Sequence, residues 1–131
     1  MTEFGALVVY AGDTARTAAF YRALGVDLED EDHGEGPVHA AADLGAVHFA
    51  VYPAQTPGRA PARRTGGASF PGFYVTSLDR VTAALAELGA PVLQSHENMP
   101  WGCRILVEDP DGRQVEVNQR GHCPGGPEGE P

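Results

Sequence analysis

The stretch Cys103–Gln119, CRILVEDPDGRQVEVNQ, reads as a β-hairpin. Cys103 to Glu108 and Gln114 to Gln119 are strand-like, and Asp109-Pro110-Asp111-Gly112 supplies the turn chemistry between them. Successive strand residues point to opposite faces, so Val115 and Val117 share one side while Gln114, Glu116 and Asn118 share the other. The apolar side has to pack beneath a helix. The polar side then fronts something else.

Working outward, Glu97 to Gly102 is expected as a loop holding Met99 and Trp101, with a short strand at Pro91 to Ser95 before it. Val81, Leu85 and Leu88 fall on one helical stripe. Ser77 or Asp79 is the expected cap of that helix and Gly89 its stop. Phe70 to Val75 is strand-like. The first half follows the same plan. Gly5 to Ala11 is a strand and Asp13 caps a helix over Thr14 to Leu24, with Ala15, Ala19, Phe20 and Leu24 at helical spacing. Val26 to Asp32 reads as an acidic edge strand and His33 to Pro37 as a turn; strands at Val38 to Ala42 and Ala46 to Tyr52 flank a turn at Asp43-Leu44-Gly45.

Asp13 to Gly25 spans twelve positions and so does Ser77 to Gly89, an offset of 64. Each half reads strand, helix, strand, strand, strand, which predicts an α+β chain of two fused copies of one module. The expected divisions are a first module over 1–52, a Pro/Gly/Ala/Arg-rich linker over 53–69, a second module over 70–119 and a disordered tail over 120–131.

The formal net charge is −9, from 18 acidic and 9 basic residues, a sign that repels phosphate backbones and argues against nucleic acid as a partner. No apolar run approaches the ~18 residues that would span a bilayer. The segment MTEFGALVVY lacks a secretory pattern, so a cytoplasmic address is expected. The two cysteines, Cys103 and Cys123, form no CxxC pair. Cys103 is expected as a small buried apolar residue, and a disulfide to the Gly/Pro-rich tail is not.

Alternation assigns Leu7, Val9, Ala11, Val47, Phe49 and Val51 to the helix side. It leaves Ala6, Val8, Tyr10, His48, Phe70, Gly72, Tyr74 and Glu116 on a concave front, with Trp101 on a loop beside it. Aromatic walls with a few polar groups suit a small-molecule pocket. They also suit a second core, but two helices cannot cover both faces of two sheets, so a partner half, a partner subunit or a ligand must cover the front.

The runs VVYAGDTARTAAFYRALG (8–25) and FYVTSLDRVTAALAELGAPV…WGCRILVEDPDGRQVEVNQ (73–119) resemble the vicinal oxygen chelate superfamily, which holds glyoxalase I, extradiol dioxygenases, fosfomycin-resistance enzymes and bleomycin-resistance binding proteins. The resemblance covers roughly residues 5–119. It implies two βαβββ modules whose curved mixed sheet surrounds a cleft, with helices on the outer face. Metal-using members carry ligands at the starts of the first and fifth strands and the middles of the fourth and eighth, which here correspond to Ala6, His48, Phe70 and Glu116. Only His48 and Glu116 could bind a metal. A catalytic divalent ion ordinarily takes three or more protein ligands, so a metal-free site is expected.

Two functions follow from the resemblance. One is a binding protein of the bleomycin-resistance type, a homodimer without cofactor that sequesters an aromatic or cationic antibiotic-like ligand. Tyr10, Phe70, Tyr74, Met99 and Trp101 would then form walls, while His39, His48, Arg104 and Glu116 would give polar contacts; an acidic pocket would favour a cation. The other is a glyoxalase-like lyase, isomerase or dioxygenase, with His48 and Glu116 as two ligands of a divalent metal or Glu116 as general base. Glu116 could equally pair with Arg104 on the neighbouring strand.

Overall fold

Ten elements make up the residues described by a computed structural model, which are 1–32, 37–54 and 69–124. All but the last residue of the expected turn at His33 to Pro37, most of the linker and the end of the tail fall outside that range. The first half holds β1 (Ala6–Ala11), α1 (Thr14–Ala23), β2 (Glu29–Glu31), β3 (His39–Leu44) and β4 (Val47–Pro53). The second holds β5 (Gly72–Tyr74), α2 (Leu78–Glu87), β6 (Val92–Met99), β7 (Gly102–Glu108) and β8 (Gln114–Gln119). Two four-stranded mixed sheets result, ordered β1-β4-β3-β2 and β5-β8-β7-β6. In each, the strand before the helix lies parallel to the last strand of its half. The fold is the expected pair of βαβββ modules.

The caps act as read. Asp13 accepts a hydrogen bond from Arg16 N at 3.1 Å and Ser77 accepts from Arg80 N at 3.2 Å, each satisfying an otherwise orphaned helix N–H. The buried stripes differ in detail. In α1 the buried residues are Thr17, Ala18, Phe20 and Tyr21, while Ala15 is exposed. In α2 Leu78 takes the place expected for Leu88, which is 47% exposed. Strand β6 runs on to Met99 through the segment expected to be a loop, because its backbone pairs with β7 even though its side chains are polar.

One apolar core serves both halves, joining Val9, Phe49 and Val51 to Leu85, Ile105, Val107 and Val117. Aromatic rings bridge the halves. The Tyr21 ring lies 5.0 Å from Phe49 and 5.9 Å from Phe73 of β5, and Phe49 and Phe73 are 5.8 Å apart, edge to face. The Asp109–Gly112 turn completes the join. Tyr21 donates its hydroxyl proton to Asp109 (2.8 Å), Thr17 donates to Asp111 (2.8 Å), and the backbone N–H of Gly12 donates to Asp111 (2.9 Å). Gly112 takes a φ of 91°, which only a residue without a Cβ adopts readily, and this closes the turn tightly enough to dock.

The expectation for the cysteines is corrected as well. Cys103 and Cys123 are joined by a disulfide. Cys123 N also donates to Asn98 Oδ1 at 2.7 Å, and the Arg120 guanidinium sits 4.0 Å above the Tyr74 ring. The chain just past β8 therefore folds back over the start of β7, where composition alone suggested nothing for it to hold. Among the described residues no helix is long and apolar enough to cross a membrane.

Candidate functional site

The two parallel ladders fix the front of each sheet. Ala6 lies opposite His48, and Gly72 lies opposite Glu116. His48 N donates to Gly5 O at 2.8 Å and Glu116 N to Pro71 O at 3.0 Å, the same step in both ladders. His48 and Glu116 are therefore structural equivalents, as are Ala6 and Gly72. Phe70 corresponds instead to Phe4, and it precedes β5 rather than standing in it. The expected match of Phe70 with Ala6 took Phe70 as the start of the fifth strand, which instead begins at Gly72. The stretch from Ala6 to its cap is seven residues and that from Gly72 to its cap only five, so the offset of 64 between the helices does not hold for the strands before them. Ladder register, not cap spacing, sets which residues face each other.

Glycine at position 72 makes room for its neighbour. A Cβ there would meet Glu116 Oε1 at 2.9 Å. The Glu116 side chain is 18% exposed, with Oε2 lying 3.6 Å from Arg104 Nη1. Arg104 Nη2 donates to Glu97 Oε1 at 2.8 Å, and Gln94 Nε2 donates to the same oxygen at 2.8 Å. Arg104 Nε is buried and has no partner. Next along the front, the Trp101 indole N–H donates to Asn118 Oδ1 at 2.9 Å, leaving Trp101 44% exposed. Met99 pairs with Gly102 at the end of the β6–β7 hairpin. The Arg104–Glu116 pairing on adjacent strands is thus present, inside a polar strip that covers the front of the second sheet.

The first sheet differs. His48 is 46% exposed and its Nδ1 lies 2.9 Å from Asp43 Oδ1. His39 is buried, stacked on Tyr52 with centroids 4.0 Å apart, and its Nε2 is 3.2 Å from Glu31 Oε1.

A cavity of about 1010 Å³ opens between the edge strands β1 and β5. Three of the residues expected at the site line it: Tyr10, Phe70 and Tyr74. The other six do not: His39, His48, Met99, Trp101, Arg104 and Glu116. They belong to the fronts of the two sheets beside it. Sequence reasoning missed Phe4, Val47, Pro71 and Arg113 on the cavity wall. Phe4-Gly5 and Phe70-Pro71, each just ahead of a first strand, were the available signal.

The metal positions of the resemblance do not fit an ion. Ala6 and Gly72 offer no donor atom. His48 and Glu116 sit on different sheets, beside Asp43 and Arg104 respectively. Among the described residues no group of three or more His, Cys, Asp or Glu side chains converges.

Comparison with known proteins bears on the fold. No curated protein sequence matches the chain. Among solved structures it resembles TnmS3, an antibiotic binding protein from Streptomyces sp. CB03234, with 22% identity, 92% of this chain and 97% of that one covered, and a TM-score of 0.67. It also resembles lactoylglutathione lyase from Agrobacterium tumefaciens, with 22% identity, 91% and 94% coverage and a TM-score of 0.62. A glyoxalase-related enzyme from Fulvimarina pelagi gives 17% identity, 92% and 89% coverage and a TM-score of 0.68. At such identities these likenesses speak to fold alone. The model of the Glyoxalase/Bleomycin resistance protein/Dioxygenase superfamily matches residues 3–117, and the chain belongs to that superfamily.

Proposed function

We propose that this protein binds and sequesters an aromatic, antibiotic-like small molecule in a metal-free cleft and so protects its host. The observation that carries the reading is the cavity between β1 and β5, walled by Phe4, Tyr10, Phe70 and Tyr74, next to two first-strand ladder positions, Ala6 and Gly72, whose side chains offer no metal donor. Such a volume is in the range of drug-sized sites, and ring faces give it affinity for flat molecules. The likeness to an antibiotic binding protein supports the same reading. Outside the cavity, Trp101 is 44% exposed on the front of the second sheet, an apolar surface that a second copy of the chain would cover. The protein is read as a homodimer; a cytoplasmic address is kept from the sequence, and there thiol reductants would open the Cys103–Cys123 pair.

The experiment combines elemental analysis with calorimetric titration of the chelator-treated protein against aromatic antibiotics. Saturable binding without metal supports the reading. Stoichiometric Ni, Zn, Fe or Mn, with chelation abolishing binding, would replace it with the metal-dependent lyase, isomerase or dioxygenase of the same superfamily.

A further inference from the structure

The chain carries 18 acidic and 9 basic residues, yet among the described residues no acidic side chain lines the cavity between β1 and β5. One formally charged side chain does, Arg113. Its guanidinium is already engaged. Nη1 donates to Asp109 at 2.7 Å and lies 3.5 Å from Asp111, and Nη2 donates to the Tyr10 carbonyl. Among the described residues, no uncompensated charge therefore faces the space.

The polar atoms that remain are neutral. Tyr10 and Tyr74 have phenol hydroxyls. The strand edges add backbone groups. His48 N bonds to Gly5 O and Ala54 N to Ala11 O, so the odd residues of β1 bond toward β4. Parallel pairing then turns the N–H and C=O of Ala6 and Val8 toward the opposite edge. In β5, Glu116 N bonds to Pro71 O and Val75 N to Asn118 O, which leaves Gly72 and Tyr74 facing outward in the same way.

We infer that the cavity selects an uncharged aromatic ligand and discriminates against cations, despite the net charge of −9. This rests on the reading of the cavity as the binding site. A cation entering it would shed water and find, among the described residues, no carboxylate on the wall to replace it, and the Tyr74 ring face that could attract it already carries the Arg120 guanidinium at 4.0 Å. The acidic side chains elsewhere on the chain attract a cation only through solvent, where salt screens them over about 8–10 Å. A neutral ring system loses little on leaving water and gains the faces of Phe4 and Phe70. The expectation of a cationic ligand came from net charge, and net charge does not say where the charges are.

The test uses three fluorescent anthracenes that differ in charge: 9-anthracenemethanol, 9-(methylaminomethyl)anthracene and 9-anthracenecarboxylate. Each is titrated into the full chain, and into Val8→Asp and Phe70→Glu variants shown by circular dichroism to be folded. Both substitutions place a carboxylate at an exposed point on the wall, 39% and 49% exposed respectively. The neutral alcohol is expected to bind the wild type at least about tenfold more tightly than either ion, with little dependence on salt. At least one folded variant is expected to reverse the preference toward the amine. A wild type that prefers the amine overturns the charge selectivity and leaves the binding reading standing. Unchanged preference in both folded variants overturns the placement of the ligand in this cavity. If none of the three anthracenes binds while an aromatic antibiotic does, the selectivity fails alone; if neither class binds, the binding reading fails with it.

Discussion

Replacing Tyr21 with Phe removes one oxygen from the join between the halves and nothing else. The Tyr21 hydroxyl is fully buried and donates to Asp109 at 2.8 Å. A hydrogen bond to a charged partner contributes about 1.5–3 kcal/mol. Asp109 keeps Arg113 Nη1 at 2.7 Å and the backbone N–H groups of Asp111 and Arg113, so its carboxylate is not orphaned and the lower part of that range applies. With an unfolding entropy of about 2.1 cal/mol/K per residue, a loss of about 1.5–2 kcal/mol lowers Tm by roughly 5–7 °C for a chain of this length. The same bond carries a pH signature. Burial first, then the Asp109 carboxylate, pushes the Tyr21 phenol well above its ordinary value, with Arg113 partly opposing. A folded-state pKa above the unfolded one means that folding keeps a proton which the unfolded chain releases. This contribution is intact below about pH 10 and is lost as pH climbs above that value. Thermal melts from pH 7 to 11 of wild type and Tyr21→Phe therefore test both parts. A variant melting within a degree of wild type at pH 7, or losing stability above pH 10 with the same slope, would refute the account.

Two further substitutions probe other joints. Cys123→Ser opens the link to Cys103, which spans 20 residues of sequence. Loop-closure entropy for that span is about 3 kcal/mol, so the oxidised proteins should differ in urea midpoint and the reduced ones should not. Gly72→Ala puts a methyl group 2.9 Å from Glu116 Oε1, the far end of a flexible side chain. The carboxylate is expected to swing aside at a cost below about 1 kcal/mol, partly offset by the lower freedom of alanine in the unfolded chain. A loss above about 3 kcal/mol in chemical denaturation would show that Glu116 is held rigidly.

Local patterns were readable and distant partners were not. Both helix caps, the parallel ladders' apolar sides and the DPDG turn follow from spacing and turn chemistry confined to a few residues. The buried stripe of α1 went astray at Thr17 and Tyr21, whose polar atoms are satisfied by Asp111 and Asp109, residues 94 and 88 positions away. Nothing in the helix announces such partners, so Ala15 looked like the better core residue. The disulfide was hidden for the same reason: pairing depends on where β8 delivers the chain, not on the composition of the tail. The aromatic part of the site, Tyr10, Phe70 and Tyr74, came from strand alternation and lies on the cavity. Its boundary did not, because the cavity sits between two edges whose approach depends on how the halves pack. Arg113 was missed as a wall residue although it stands directly beside the turn that identified the fold.

The docking of the last hairpin onto the first helix has a consequence for how the chain is made. Gly12 waits for an acceptor 99 residues later, and Thr17 and Tyr21 wait almost as long. At translation speeds of about 5–20 residues per second, that interval is roughly 5–20 s. For the part of it between Phe49 and Phe73, the ring cluster of the first half is made but its Phe73 side is uncovered. The first half on its own is thus a half-sheet with uncovered aromatics, and its join is secured only once the Asp109–Gly112 turn has been synthesised.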